Sequence, residues 1–252
     1  MLELAELILK FQQLGLKNGD ILLVHSSFKS FGGVKGGPET VIEALTTVLG
    51  NEGTLIVPTY NFDFCKNQIF DVRKTPSQMG IISEYVRNNE KSIRTLNPIY
   101  SFAIMGKLAK QLGNMEYVNC CGKDSILGKL NELNAKIMII GVDYTHSLTL
   151  FHHIEEMEGC DYRYFKEFHG KIIDYENKCI KNKAIMYVRD LGRGVIGNLE
   201  KMGKILEDEE IIEVLKVGSS QIKIMKANEV YIRTSKEMKI NPHILCEIKE
   251  EN

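Results

Sequence analysis

The feature of the sequence that most constrains its fold is a continuous apolar run from Ile21 to Val24, followed by a loop rich in glycine and serine. An apolar run without polar alternation is typical of a parallel strand that is covered on both faces. After the loop, apolar residues recur at three- and four-residue steps from Val41 to Leu49, which predicts an amphipathic helix. Pro38 suits the first turn of that helix, and Gly50 suits its end. Because Thr54 to Pro58 is again largely apolar, this part of the chain predicts a strand–helix–strand unit.

The same alternation of strands and helices continues as far as residue 156. An opening helix is predicted from Leu4 to Leu14 by apolar residues at helical spacing. The other predicted elements are helices over Ser77–Asn88, Ser125–Leu133 and Ser147–Glu156, and strands over Ser101–Met105 and Lys136–Val142. Strands that alternate with helices in this way predict an α/β fold.

Beyond Cys160 the pattern weakens. The elements predicted there are strands over Ile172–Tyr175, Ala184–Val188, Ser220–Met225 and Val230–Thr234, and a helix over Asp208–Lys216. No low-complexity linker, repeat or charge block separates this part of the sequence from the rest. We therefore expect a single domain over residues 1–252, with a more irregular C-terminal third from about residue 160.

The overall charge argues against several classes of protein. The 252 residues include 32 Lys and Arg against 33 Asp and Glu, which does not suit a nucleic-acid binder that works by general phosphate neutralisation. No stretch approaches the ~20 apolar residues of a membrane span, and residues 1–13 lack the pattern of a signal peptide. The six cysteines include no CxxC pair. We expect reduced thiols, a cytoplasmic location, and neither nucleic acid nor membrane as a partner.

The loop from His25 to Pro38, HSSFKSFGGVKGGP, has the character of an anion site. It lies between a buried strand and a helix N-terminus, where glycines allow close approach of the backbone and free N–H groups favour negative charge. Lys29 and Lys35 add positive charge. The segment matches neither a Walker loop nor GxGxxG. A phosphate site and a flexible crossover loop are both compatible with it.

A second cluster of titratable residues is the segment from Thr149 to Glu156, TLFHHIEE. On a helix, His152 and Glu155 share a face, whereas His153 lies about a hundred degrees away. A carboxylate beside an imidazole orients the ring and raises its basicity, as a general base requires. Three interpretations stay open: a general base, an exposed His–Glu pair, and a metal site of His152, His153 and Glu156. The metal site is the weakest because HExxH is absent.

Six segments of the chain resemble, in order and spacing, the aminoglycoside 3-N-acetyltransferase family. They are VHSSFKSFGGVKGGPETVIEAL (24–45), GTLIVPTY (53–60), FDVRKTPSQMGIISEYVR (70–87), NPIYSFAIMG (97–106), DSILGKL (124–130) and TLFHHIEE (149–156). The resemblance implies a three-layer α/β fold, a sheet with helices on both faces, distinct from the GNAT fold. It also implies transfer of an acetyl or other short acyl group from acyl-CoA to the amine of a sugar.

The same resemblance implies roles for individual residues. His152 matches the histidine of the family's TLxHxxE motif and is the predicted base, with Glu155 as its partner acid. The glycine loop is the predicted site of acetyl-CoA or another acyl-CoA. The residues predicted to contact this cofactor are Ser26, Ser27, Phe28, Lys29, Ser30, Val34, Lys35, Gly36, Gly37 and Ser77. Independently of the resemblance, Tyr60, Asn61 and Asp63 follow a strand end, and two interpretations stay open for them: acceptor-pocket residues or loop caps. Thr149 is predicted at the same pocket, where its hydroxyl is a candidate donor to the oxyanion.

The local charge of the sequence helps to choose between an anionic and a polycationic acceptor. Between Glu84 and Lys110, five basic residues stand against two acidic ones. This excess favours an anionic acceptor, a nucleotide-linked 3-amino sugar for a surface polysaccharide such as lipopolysaccharide, over a polycationic aminoglycoside. N-acetylation of an aminoglycoside, which confers antibiotic resistance, is the alternative.

Other questions also stay open at this stage. A CoA-binding module without turnover and a metal hydrolase are the alternatives to an acyltransferase, although we expect no metal. The sequence also leaves a homodimer open. Asn97 stands where many members of the family have a histidine, so any role of that histidine is in doubt here.

Overall fold

A seven-stranded mixed sheet forms the centre of the molecule. The computed structural model describes residues 1–249 of the chain. Its strands are β1 (Ile21–Ser26), β2 (Thr54–Pro58), β3 (Phe70–Asp71), β4 (Ile93–Arg94), β5 (Phe102–Gly106), β6 (Lys136–Ile140), β7 (Arg163–Ile173), β8 (Cys179–Arg189), β9 (Val195–Gly197), β10 (Glu213–Val217), β11 (Ser220–Lys226) and β12 (Cys246–Ile248). The spatial order of the sheet is β10-β11-β6-β1-β2-β5-β4, so the apolar run of β1 lies at its middle.

Strand β1 pairs in parallel with both of its neighbours. Leu23 lies opposite Ile56 of β2 on one side and Ile137 of β6 on the other. The outer strands are antiparallel, β5 to β2, β4 to β5, β11 to β6 and β10 to β11. In open α/β sheets, ligands bind outside the carboxyl ends of parallel strands. The loops that follow β1, β2 and β6 therefore meet where a ligand site is expected.

Helices cover both faces of the sheet. They are α1 (Leu4–Gln13), α2 (Pro38–Leu49), α3 (Ile81–Arg87), α4 (Ala109–Gly113), α5 (Ile126–Glu132), α6 (Leu150–Glu158), α7 (Glu200–Asp208) and α8 (Ala227–Ile240). Because successive residues of a strand face opposite sides, Leu22 packs into one core with α1, α2 and α3, whereas Leu23 packs into the other with α4 to α8. The expected three-layer α/β fold is confirmed. Within residues 1–249, no helix is long and apolar enough to cross a membrane.

A long hairpin stands outside the central sheet and follows α6. Its strands β7 and β8 have 11 residues each and pair antiparallel along their whole length. Arg163, the first residue of β7, lies directly opposite Arg189, the last residue of β8. Strand β3 adds to this hairpin in parallel, and β9 pairs with β12. Gly159, in the left-handed conformation at φ +66, ends α6 and allows the turn into the hairpin.

The last third of the chain is more regular than the sequence predicts. The predicted helix over Asp208–Lys216 is wrong, because α7 ends at Asp208, the chain turns with Glu210 at φ +58, and β10 follows. The predicted strand over Val230–Thr234 is also wrong, because this segment lies inside α8. Val230, Thr234 and Met238 are buried there at four-residue steps. The β-branched composition suits a strand locally, but burial of one helical face decides the structure.

Candidate active site

His152 and Glu155 lie on the same face of α6, and Nδ1 of His152 is 2.8 Å from Oε2 of Glu155. This carboxylate oxygen is closer to Nδ1 than Nη2 of Arg163, which lies at 3.2 Å. Because an ionised carboxylate only accepts hydrogen bonds, Nδ1 carries the proton and Nε2 keeps a free lone pair. The Glu155 side chain is 0% exposed, whereas that of His152 is 23% exposed. His152 lines a cavity of about 350 Å³, here named the His152 cavity, together with Phe62, Tyr100 and Arg163 among others. Glu155 therefore holds the imidazole on its buried side, and the ring is partly exposed at the His152 cavity.

Two residues that the sequence analysis missed complete the surroundings of Glu155. Arg163 places Nη2 at 2.8 Å from Oε2, and the hydroxyl of Tyr162 donates to Oε1 at 3.0 Å. Nη1 of Arg163 donates to the carbonyl of Tyr187 at 2.9 Å, which ties the arginine to β8. These residues lie just beyond α6, where the sequence shows no clear strand. The one signal in the sequence for these two residues is that a Tyr-Arg pair closely follows the predicted helix of His152 and Glu155.

The pKa values of the pair follow from burial and from Arg163. Burial lowers the pKa of His152, the positive charge of Arg163 lowers it further, and the hydrogen bond and charge of Glu155 oppose both. Burial tends to raise the pKa of Glu155, but the hydrogen bond with His152 and the charge of Arg163 outweigh it and hold that pKa below its usual range. Near neutral pH, Glu155 is ionised and His152 is neutral. A neutral imidazole with a free Nε2 can accept a proton.

The neighbouring titratable residues of α6 serve other contacts. His153 is buried, and its Nδ1 donates to the carbonyl of Cys121 at 2.7 Å. Glu156 is half-buried, accepts a hydrogen bond from Asn119 at 2.5 Å, and has a pKa raised by burial. His152, His153 and Glu156 therefore do not converge. Within residues 1–249, no group of three or more His, Cys, Asp or Glu side chains is arranged to hold a metal ion.

A second cavity, of about 490 Å³, lies at the carboxyl end of β1 and is here named the His25 cavity. Its wall includes four of the residues predicted to contact the cofactor, Ser26, Ser27, Phe28 and Lys29, together with Gln78, Met79, Gly80 and Ile81. Serine hydroxyls, backbone groups and the Lys29 ammonium suit the polar and phosphate parts of CoA. The position at a strand end and the donor set both fit this cofactor.

The other residues predicted to contact the cofactor do not line this cavity. Ser30 bonds to the Ser27 carbonyl and to Ser220, and Lys35 pairs with Glu3 at 3.1 Å. Val34 is buried and bridges to Leu2. Gly36 and Gly37 precede α2, and Gly37 is its N-cap. Ser77 stabilises the turn from Ser77 to Met79, because its hydroxyl accepts the N–H of Met79.

None of the residues predicted at the acceptor pocket lines the His152 cavity. Tyr60 is 2% exposed, and its hydroxyl bonds to Thr149 at 3.1 Å; Thr149 lies 3.5 Å from Nε2 of His25. The Tyr60 ring packs on Tyr100, which lines the His152 cavity. Asp63 instead lines a separate cavity of about 430 Å³.

Asn97, in place of the family histidine, has a structural role. It is buried, and its Oδ1 accepts the N–H groups of Ile99 at 3.1 Å and Tyr100 at 2.8 Å. These bonds fix the turn that carries Tyr100 to the cavity wall.

The chain matches the profile of the aminoglycoside 3-N-acetyltransferase family over residues 23–239. It is 30% identical over 244 residues to the aminoglycoside N(3')-acetyltransferase-like protein YokD of Bacillus subtilis (strain 168), a match that covers 86% of this chain and 85% of YokD. It is 31% identical over 180 residues to aminoglycoside N(3)-acetyltransferase VII of Streptomyces paromomycinus. That match covers 64% of this chain and 62% of the relative, so it spans less than two thirds of the relative's length.

Solved structures share the fold. The crystal structure of YokD superposes with a TM-score of 0.80 at 26% identity and covers 95% of this chain and 94% of that chain. The binary structure of AAC-IIIb with CoASH gives a TM-score of 0.84 at 19% identity, over 95% of this chain and 97% of that chain. The chain belongs to the aminoglycoside 3-N-acetyltransferase family, whose members are acyl-CoA-dependent N-acyltransferases that use acetyl-CoA.

Proposed function

We propose that this chain transfers the acetyl group of acetyl-CoA to an amine of an aminoglycoside, with His152 as the general base. The observation that carries the proposal is the hydrogen bond between Nδ1 of His152 and the buried carboxylate of Glu155, at the wall of a cavity. It leaves Nε2 free to accept a proton, which is the arrangement that a general base needs. Membership of the family supports the acyl donor and the class of reaction.

The site favours direct transfer. Acetyl-CoA supplies the acyl group as a thioester. Nε2 of His152 accepts the proton that the acceptor nitrogen loses as its bond to the acyl carbon forms and the carbon–sulfur bond breaks. The same proton then neutralises the departing thiolate. Glu155 keeps the ring oriented and stabilises the imidazolium that exists between these two proton transfers.

An acyl-enzyme intermediate has little support in the structure. Cys121 lines the His152 cavity, but burial raises the pKa of its thiol well above the usual value, and the charge of Cys120 adds to the effect. A thiol that stays protonated is a poor nucleophile. Nδ1 of His153 donates to the Cys121 carbonyl and not to its sulfur.

The names of the relatives support an aminoglycoside acceptor. The basic excess of residues 84–110 favours the anionic acceptor in the sequence, but three of its five basic residues are engaged elsewhere in the structure. Arg94 is buried and donates to backbone carbonyls, Arg87 pairs within its own helix α3, and Lys107 pairs with Glu52. None of the five lines the His152 cavity. That argument for a nucleotide-linked sugar therefore loses its basis.

A nucleotide-linked amino sugar is nevertheless the second candidate acceptor, because one other observation favours it. The His152 cavity is lined by Arg163 and Arg189 and, among residues 1–249, by no acidic side chain. A cationic wall attracts a phosphate and repels a polycation.

The test is an acetyl-CoA assay that compares gentamicin and apramycin with UDP- and dTDP-linked amino sugars, measured by thiol release and by the mass of the product. The proposal expects thiol release in step with an N-acetylated aminoglycoside. Turnover of the nucleotide sugars alone would favour the second candidate. Binding of CoA without thiol release for any amine would indicate a binding module, and activity that depends on stoichiometric zinc would indicate a metal enzyme.

A further inference from the structure

Two arginines face each other across the open end of the β7–β8 hairpin. Arg163 and Arg189 are direct cross-strand partners, and both line the His152 cavity. Like charges directly opposite each other in an antiparallel pair destabilise it. A hairpin that places two guanidinium groups in this position therefore needs negative charge nearby.

Glu155 supplies part of that negative charge, but it engages only one of the arginines. Arg163 uses Nη2 for Glu155 and Nη1 for the Tyr187 carbonyl, and its side chain is 6% exposed. The Nε–H of Arg163 is buried and has no hydrogen-bond partner within residues 1–249. A buried donor without a partner is a costly arrangement in a folded protein.

Arg189 differs from Arg163 in its contacts. Among residues 1–249, its exposed side chain makes no ion pair and no hydrogen bond. The adjacent carboxylate of Asp190 accepts the N–H of Gly192 at 3.1 Å and caps that turn. The positive charge of Arg189 nevertheless acts on His152, because it contributes to the lowered pKa of that imidazole. Within residues 1–249, a guanidinium without a paired acid thus lines the same cavity as His152.

We propose that Arg189 binds an anionic group of the acceptor, a phosphate or a carboxylate, at the open end of the hairpin beside Arg163, and thereby selects amino sugars that carry negative charge. This inference rests on the proposed acetyl transfer by His152 and develops the second candidate acceptor; if it holds, an aminoglycoside is not the preferred acceptor. A guanidinium presents donors that match the oxygens of both anions. An anion beside the two arginines relieves their repulsion and holds the acceptor amine beside His152.

The test compares acceptors that differ mainly in charge: glucosamine, glucosamine 6-phosphate and glucosaminuronic acid, with UDP-glucosamine as the nucleotide-linked arm. In the wild-type protein, kcat/KM for an anionic acceptor should exceed that for glucosamine by about tenfold or more, the scale of one charge-assisted hydrogen bond. In Arg189→Gln, kcat/KM for the anionic acceptors should fall about tenfold more than kcat/KM for glucosamine, so that the preference is lost. The sugar with the larger loss identifies phosphate or carboxylate as the group that is bound.

Lys181→Gln is the matched control, because it removes an exposed positive charge from the same strand β8, away from the cavity. This variant should keep the preference of the wild type. If the wild type uses neutral and anionic sugars equally, or if Arg189→Gln slows all acceptors alike, the anion site is wrong and acetyl transfer stands. The same holds if a polycationic aminoglycoside is preferred to every anionic sugar and Arg189→Gln leaves that preference unchanged.

Absence of turnover with every acceptor, aminoglycosides included, would overturn the proposed function instead. Calorimetric titration of glucosamine 6-phosphate in the presence of CoA then decides on the anion site independently of activity. Binding that is about tenfold weaker in Arg189→Gln than in the wild type would support the site. Equal binding, or no binding to either protein, would overturn it.

Discussion

Glu155 and Arg163 form a buried ion pair, with 2.8 Å between Oε2 of the carboxylate and Nη2 of the guanidinium. The same oxygen accepts the hydrogen bond from Nδ1 of His152. The arginine thus compensates the charge of the acid, and the acid orients the base. As a result the pKa of His152 is lowered, by burial first and by Arg163 second, although a carboxylate lies beside it.

Replacement of the acid should affect both activity and stability. In Glu155→Gln, kcat should fall about 10- to 100-fold, because the imidazolium loses its stabilising charge. The free energy of unfolding should fall by about 3–5 kcal/mol, because Arg163 is left as a buried charge without its partner. Steady-state kinetics and urea denaturation measure the two effects. Glu158→Gln on the same helix is the control and should change neither, and a Glu155→Gln protein with wild-type kcat would contradict the role of the acid.

Removal of the arginine charge should shift the pH dependence of the reaction. A base works only when it is neutral, so kcat/KM falls as the pH drops through the pKa of His152. Arg163 helps to lower that pKa. In Arg163→Met the acidic limb of the profile should therefore move to higher pH, and activity at mildly acidic pH should be lost first. The measurement is kcat/KM from about pH 5 to 8, the range in which histidine titrates.

Arg163→Lys keeps a positive charge at this position and should keep the limb closer to that of the wild type. If the acidic limb of the kcat/KM profile does not move in Arg163→Met, the arginine only packs against the helix and does not set the basicity of His152.

Two lysines of the glycine loop should differ in their effect on the cofactor. Lys29 lines the His25 cavity, whereas Lys35 points to Glu3 at the surface. Lys29→Ala should raise KM for acetyl-CoA several-fold, roughly 3- to 10-fold for one exposed charge on a phosphate, with little change in kcat. Lys35→Ala should leave KM unchanged. Equal effects of both substitutions on KM would contradict the placement of CoA in this cavity.

Arg94 should matter for folding rather than for substrate charge. Its guanidinium donates to the carbonyl of Thr59 at 2.7 Å and to the hydroxyl of Ser101 at 3.1 Å, and the residue is 2% exposed. Arg94→Gln should lower the free energy of unfolding by about 3 kcal/mol or more, because buried acceptors lose their donor. Lys91→Gln, at an exposed position, should change it by less than about 0.5 kcal/mol. A stable Arg94→Gln protein with altered acceptor preference would restore the charge argument drawn from residues 84–110.

Much of the fold could be predicted from local sequence pattern. The apolar run of β1 and the helical spacing of α2 each have one clear period, and both elements form as expected. The errors lie in the last third of the chain, where β-branched residues such as Val230 occur within a helix. Burial of one face of α8 against the core outweighs the local preference there.

The candidate site could be predicted only in part, for a similar reason. His152 and Glu155 are three residues apart on one helix, so the helical period alone brings them together. Arg163 and Arg189 meet only through the pairing register of a long hairpin, which no local pattern reveals. The basic residues near Arg94 are a further example. The sequence shows how many there are, but it does not show which of them are buried.

The most direct test of the central claim is the rate of acetyl transfer in His152→Ala, measured by thiol release from acetyl-CoA with the best acceptor of the wild type. Titration with CoA should show unchanged affinity, because His152 does not line the His25 cavity. Loss of the base should lower kcat by about 100-fold or more, with this affinity intact. A His152→Ala protein that binds CoA normally and turns over at a rate close to that of the wild type would contradict the account.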